Sequence, residues 1–228
     1  LTPAWPANWP GGSETAIYQS KWRHPIAKWS VIATKYEANL TRMALKSTIF
    51  KANLSVADID HGYYADHALT LARHPSETDE RMMVRLVALA LNAWQLQAVC
   101  NGDGVLAFGA GLSDPNDPDL SLKDFTGHTR LWIEVGQPED KPIAKACQKA
   151  DQVMVYAFHH AAEVWWRGIE NKLSRLDKLQ VWRVPTEASQ ALTRLAQRSM
   201  QLQATVQEGN LSLSDSQTHI DIECVRWK

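Results

Sequence analysis

The feature that most constrains this chain is a two-residue alternation that runs from Thr48 to Val56, stops at a turn, and resumes from Tyr64 to Arg73. Phe50, Ala52, Leu54 and Val56 fall on one side, and Lys51, Asn53 and Ser55 on the other. That is the pattern of a strand with one buried face. Asp58-Ile59-Asp60-His61-Gly62 supplies turn chemistry between the two runs, so they are expected to form a hairpin. A chain that begins its periodic region in this way has to build a sheet.

The period then changes. Ser76 is placed to cap a helix, with Glu77 in the favourable acidic first turn and Asp79 three residues after the cap, so a helix is expected from Glu77 to about Trp94. Met82, Met83, Leu86, Val87, Leu89, Ala90 and Trp94 give it a broad apolar face, which suits packing on a sheet. Glycine and proline turns break residues 101–123 around short apolar pieces such as Val105-Leu106-Ala107-Phe108. Thr129 to Gly136 is the clearest strand, with Leu131, Ile133 and Val135 on one face and Trp132, Glu134 and Gly136 on the other. A helix over Lys141 to Ala150, with Pro142 in its first turn, precedes an apolar strand over Gln152 to Phe158. A helix from Ala161 to about Leu176, a strand from Leu179 to Val184 and a helix from about Glu187 toward Met200 follow. Alternation returns at 200–207, and Leu211 to Leu213 and Ile220 to Val225 are expected to finish an antiparallel meander. The class is α/β, a mixed sheet flanked by helices plus extra antiparallel hairpins.

Residues 1–42 carry Pro3, Pro6, Pro10, Gly11, Gly12 and four tryptophans without a sustained period. They read as a poorly structured extension, with Met43 as the expected true start and 43–228 as one domain. The charge is uneven. Of 24 Lys/Arg and 25 Asp/Glu, the extension holds five and two, which leaves nineteen against twenty-three, or −4, for residues 43–228. Tight binding of nucleic acid through phosphate neutralisation alone is therefore not expected. Cys100, Cys147 and Cys224 are far apart and odd in number, which argues against a disulfide framework and against zinc, and for reduced residues in a cytoplasmic protein. No apolar run reaches the eighteen or more residues of a membrane span, so no membrane partner is expected.

The residues that could carry chemistry are Glu80 on the first helix, Asp119 after the acidic loop, Glu134 on the clearest strand and Lys145 on the helix behind it. A divalent cation for phosphodiester hydrolysis wants hard carboxylate oxygens with sites left for water and phosphate. Glu134 is polar in an otherwise apolar strand, so it needs a cation, which is either a metal or an arginine or lysine from a neighbouring helix. Asp119 also suits an ordinary acidic turn. Lys145 also suits a solvated helix face. His159-His160 read as exposed, and Trp165-Trp166 as core plus one surface-packed ring. Ser113 lacks the strand-turn-helix setting of a hydrolase nucleophile, and no P-loop or dinucleotide fingerprint occurs.

Several blocks resemble one bacterial family in order and spacing. They are Met43-Ala44-Leu45-Lys46, Leu69 to Thr78, Glu80-Arg81-Met82-Met83, Leu131 to Gly136, Lys145-Ala146-Cys147, Trp165-Trp166 and Leu202 to Gly209. Together they are similar to the YaeQ family, whose fold is similar to that of PD-(D/E)XK nucleases. The resemblance implies a Mg²⁺- or Mn²⁺-dependent nuclease acting on nucleic acid, with Pro118-Asp119 and Glu134 in the motif's acidic positions. It implies Glu80 or Glu77 as the acid on the first helix, so that Asp119, Glu134 and Glu80 would be the metal ligands. The motif's lysine is missing. Gly136 stands two residues after Glu134, and Lys145 is expected to reach back over it. The alternative is a catalytically silent nuclease-fold protein that binds nucleic acid or a protein partner, with Glu134 held by Arg81 or Lys145 in a salt bridge.

Overall fold

The computed structural model describes residues 47–109, 112, 114 and 116–228. The readings placed on residues 1–42 and on Ser113 lie outside them. Alternation becomes pairing at once: β1 (Thr48–Asp58) and β2 (Tyr63–Arg73) form an antiparallel hairpin in register from Thr48↔Arg73 to Asp58↔Tyr63. Its turn is fastened from outside, because both carboxylate oxygens of Asp60 accept from the backbone amides of Glu208 and Gly209, each at 2.8 Å.

The first long helix, α1 (Asp79–Asn92), starts two residues later than expected. Thr78, not Ser76, is its cap: the Thr78 hydroxyl accepts from the Arg81 amide at 3.2 Å, while Ser76 bonds to His74. The reason is Glu77. Its side chain turns inward to Arg81 and Arg85, so it precedes the helix instead of lying in its first turn. The helix also ends before Trp94, and a short α2 (Gln95–Cys100) follows it.

Strands β3 (Gly104–Phe108), β4 (Leu120–Asp124) and β5 (Thr129–Val135) come next, then α3 (Asp140–Lys149), β6 (Ala150–Ala157), α4 (Ala162–Leu173), β7 (Leu179–Arg183) and α5 (Thr186–Ala191). A 3₁₀ turn over Leu192–Leu195 leads to β8 (Ser199–Gln207), β9 (Asn210–Ser214), β10 (His219–Ile222) and β11 (Val225–Arg226).

The one mixed sheet with extra hairpins is in fact two mixed sheets. β1 pairs in parallel with β8, and this joins the early hairpin to the late meander in a five-stranded sheet of order β10-β9-β8-β1-β2. The other sheet has the order β11-β7-β6-β5-β4-β3, with β5, β6 and β7 parallel. The expected strand from Ile220 to Val225 is therefore cut in two: β10 closes the first sheet and β11 pairs with β7 in the second.

Helix α1 lies in the core shared by both sheets, with every residue from Met82 to Ala90 buried. A helix covered on all sides cannot show a single apolar stripe, and Arg85 is part of what fills it. Leu131, Ile133 and Val135 of β5 join this core. Trp132, on the other face, joins a second core with Ile143 and Cys147 of α3 and Leu173 of α4. The alternation of β5 therefore sorts its side chains into two separate interiors, as the sequence pattern requires. Trp165 and Trp166 are both half-buried against that second core, and Trp166 stacks on Trp227. The cysteines are free. Among the described residues no helix is long and apolar enough to cross a membrane.

Candidate functional site: a lysine-lined cleft beside a buried ion network

Asp119 ends the loop that enters β4, and it is 1% exposed. One nitrogen of the Arg81 guanidinium donates to both its oxygens at 2.8 Å, and the Val135 amide donates to Oδ2 at 2.7 Å. The same Arg81 nitrogen donates to the Val135 carbonyl at 3.2 Å, and its other nitrogen pairs with Glu77 at 2.8 Å. Glu77 is shared with Arg85 at 2.9 Å, and Arg85 lies over the Phe108 ring. Two carboxylates and two guanidinium groups thus neutralise one another in the interior, which is the condition under which buried charges are tolerated. The network clamps the end of β5 at Val135.

Glu134 projects from the opposite face of β5 and takes no part in the clamp. Its carboxylate accepts from Trp132 Nε1 at 2.7 Å, and it forms no ion pair with Arg81 or Lys145. The expected structural salt bridge through Glu134 is replaced by one through Asp119, because Asp119 lies on the α1 side of the sheet, where Arg81 is. Among the described residues Glu134, half-buried, forms no ion pair. Burial, reinforced by the negative charges of Asp119 and Asp117, raises its pKa to about 7 against the opposing hydrogen bond from Trp132 and the positive charge of Arg81.

Lys145 does come to this side. It lines a cleft of about 340 Å³ between β5 and α3, together with Glu134, Trp132, Asn116, Lys141 and Lys149. Lys141 and Lys149, which no sequence motif singles out, sit four residues before and after Lys145, so one helical face presents three ammonium groups. Lys149 Nζ lies 5.2 Å from the Trp132 ring centre, as a cation over an aromatic face.

The four expected residues are held by different partners. Glu134 and Lys145 share the cleft, Asp119 is held behind it by Arg81, and Glu80 accepts from the Ser189 hydroxyl at 2.6 Å. The remaining candidate acid, Glu77, belongs to the buried network. Both Asp119 oxygens are occupied by donors, and among the described residues no cluster of three or more His, Cys, Asp or Glu side chains is placed to hold a metal ion. This donor set suits Mg²⁺ or Mn²⁺ poorly, since the ion would have to share the Asp119 carboxylate with the positive charge of Arg81.

Gly136, two residues after Glu134, has a φ of +111°, a backbone conformation that side-chain-bearing residues rarely adopt. A lysine there would be strained. The ammonium groups enter from α3 instead. Gly109 has a packing role, since its amide donates to the Asp119 carbonyl at 2.9 Å and a Cβ on it would collide with the Pro118 carbonyl. Gly109→Ala is expected to push Asp119 away from Arg81 and to cost about 1–3 kcal/mol. Urea unfolding measures this, and a loss under about 0.5 kcal/mol would show that the loop yields freely.

Comparison with known proteins gives a consistent picture. The profile of a family described as "YaeQ protein" matches residues 43–224. YaeQ of Salmonella typhi is 41% identical over 187 residues, which is 82% of this chain and 98% of that protein. YaeQ of Escherichia coli K12 is 39% identical over the same length and coverage. The crystal structure of YaeQ from Xanthomonas axonopodis pv. citri superposes with a TM-score of 0.73 at 38% identity, covering 80% of this chain and 99% of that one. The structure from Pseudomonas syringae gives 0.73 at 30% identity, covering 80% and 96%.

Proposed function

With this chain belonging to the YaeQ family, we propose that its working site is the cleft between β5 and α3, and that it binds phosphodiesters of nucleic acid on a PD-(D/E)XK-like core. The observation that carries the reading is the set of Lys141, Lys145 and Lys149 facing a carboxyl whose pKa is near 7. Ammonium groups neutralise phosphate charge, and a protonated Glu134 adds a hydrogen-bond donor that an ionised one would lack. A carboxyl poised at neutral pH can also hold or release a proton at that atom. With the rest of the domain acidic, binding is weak and salt-sensitive.

Mg²⁺- or Mn²⁺-dependent hydrolysis at Asp119, Glu134 and Glu80 is the competing reading. Its support is the like-charge pressure of Asp119 on Glu134, which a cation between them would relieve. One experiment separates the two. A fluorescently labelled oligonucleotide is titrated with the protein and with Lys145→Glu, and then incubated with each metal in the presence of wild type or Glu134→Gln. The expected result is at least ten-fold weaker binding for Lys145→Glu and no metal-dependent cleavage. Cleavage that is abolished in Glu134→Gln would replace this proposal with the nuclease. Binding untouched by Lys145→Glu would remove the cleft from consideration.

A further inference from the structure

We infer that the lysine row of α3 seats consecutive phosphates of a single nucleic-acid strand, one lysine per phosphate, and that it excludes a duplex. This rests on the reading of the cleft as a phosphodiester site.

Spacing is the first argument. Four residues of α-helix advance about 6 Å along the axis and turn only about 40° past a full turn. Lys141, Lys145 and Lys149 therefore form a nearly straight row whose step is close to that between successive phosphates of an extended strand. Energetic cost is the second. Like charges at this spacing destabilise a helix, and Lys141 stands in the first turn, at the positive end of the helix dipole, where a cation is unfavourable. Lys149, in the last turn and over the Trp132 ring, is favourably placed, but Lys141 and Lys145 have no such offset among the described residues. Among the described residues Lys141 and Lys145 form no ion pair, and Asp140, the acid next to the row, pairs instead with Lys172 of α4 at 3.5 Å. A row of cations left without counter-charges is completed by an anion of matching repeat.

The shape of the site decides the strand number. There is one row of cations, and its facing wall is β5 with Glu134. A second backbone would need further cations, and residues 43–228 carry no general basic excess to supply them, their formal balance being −4. Among the described residues the cleft also lacks a free aromatic face for stacking, since Trp132 is 7% exposed and sits under Lys149. Recognition is therefore of backbone charge, tolerant of sequence and indifferent to the sugar.

The test is fluorescence anisotropy with the full chain, using labelled nine-nucleotide dT and rU strands and a nine-base-pair duplex, across 50–200 mM salt. For single strands each phosphate contact contributes about −0.7 to the slope of log K against log salt, so three contacts give about −2. Lys141→Gln and Lys145→Gln change exposed side chains and each is expected to reduce the slope by about 0.7. The duplex is expected to bind at least ten-fold more weakly, and dT and rU within about three-fold of each other. A duplex that binds as tightly, with the same lysine dependence, overturns the single-strand inference and leaves the phosphodiester cleft standing. A ten-fold preference between dT and rU overturns recognition by phosphate alone. Absence of binding, or binding that neither lysine affects, overturns the cleft reading as well.

Discussion

Replacing Glu77 by alanine is expected to lower the unfolding free energy by about 3–5 kcal/mol, the cost of leaving a buried charge without its partner. Glu77 is 5% exposed and, among the described residues, is the only carboxylate bonded to Arg85, whose own side chain is 1% exposed. Without Glu77, Arg85 keeps a single hydrogen bond, to the Ala72 carbonyl at 3.3 Å. Removal of one partner carries this cost whether or not the network as a whole out-stabilises an apolar core of the same shape. Glu77→Gln, which retains an acceptor and the volume, should fall between the two. The measurement is the urea midpoint at constant m-value. A loss below about 1 kcal/mol for the alanine variant would show that Arg81 and Arg85 find water or Asp119 as adequate substitutes.

The second large effect has the opposite sign. Glu134→Gln is expected to stabilise the protein at pH 8 by up to about 3 kcal/mol, because lifting the carboxyl from 4.5 to about 7 costs the folded state about 1.4 kcal/mol per pKa step once it is ionised. Below about pH 4.5 the carboxyl is protonated in both states and the variant gains nothing from this source. Between 4.5 and about 7 the unfolded chain has released the proton that the folded protein still holds, so wild-type stability falls as pH rises. Above about 7 the difference is constant. Residual exposure of Glu134 makes 3 kcal/mol a ceiling. Denaturant unfolding of both proteins at pH 4.5, 6 and 8 reads the result directly. A variant advantage that does not change with pH would show that the carboxyl is not held near 7. A stability penalty at the candidate site, with binding lost when its lysine is changed, is the pattern expected where the fold yields to function.

Much of this was readable in the chain. The hairpin of β1 and β2 appeared with its turn because alternation is local and exact in period, and the two faces of β5 were assigned correctly for the same reason. The family was legible in blocks spread over most of the chain, and the profile match over 43–224 agrees with that extent. The row of Lys141, Lys145 and Lys149 was also there to be seen, since spacing by four is a sequence property. Lys145 alone was taken up, through the resemblance. The late start of α1 was hidden because Ser76 and Thr78 are both capping residues, and the choice between them was made by Glu77 turning toward two arginines.

What the sequence determined by itself was periodicity: which segments are strands or helices, and which side of each is apolar. Those preferences arise within a few residues of backbone geometry. Only the tertiary structure decided partnership. The parallel pairing of β1 with β8 makes two sheets from segments about 150 residues apart, and the Arg81 to Asp119 bond spans 38 positions. No local pattern encodes such distances. Which carboxylate is neutralised, and which is left beside a row of lysines, depends on the side of the second sheet to which each is brought. Asp119 is ion-paired with a guanidinium on the α1 side, Glu134 lines the α3 cleft outside any such pair, and that difference is what turns an acid on a strand into a candidate site.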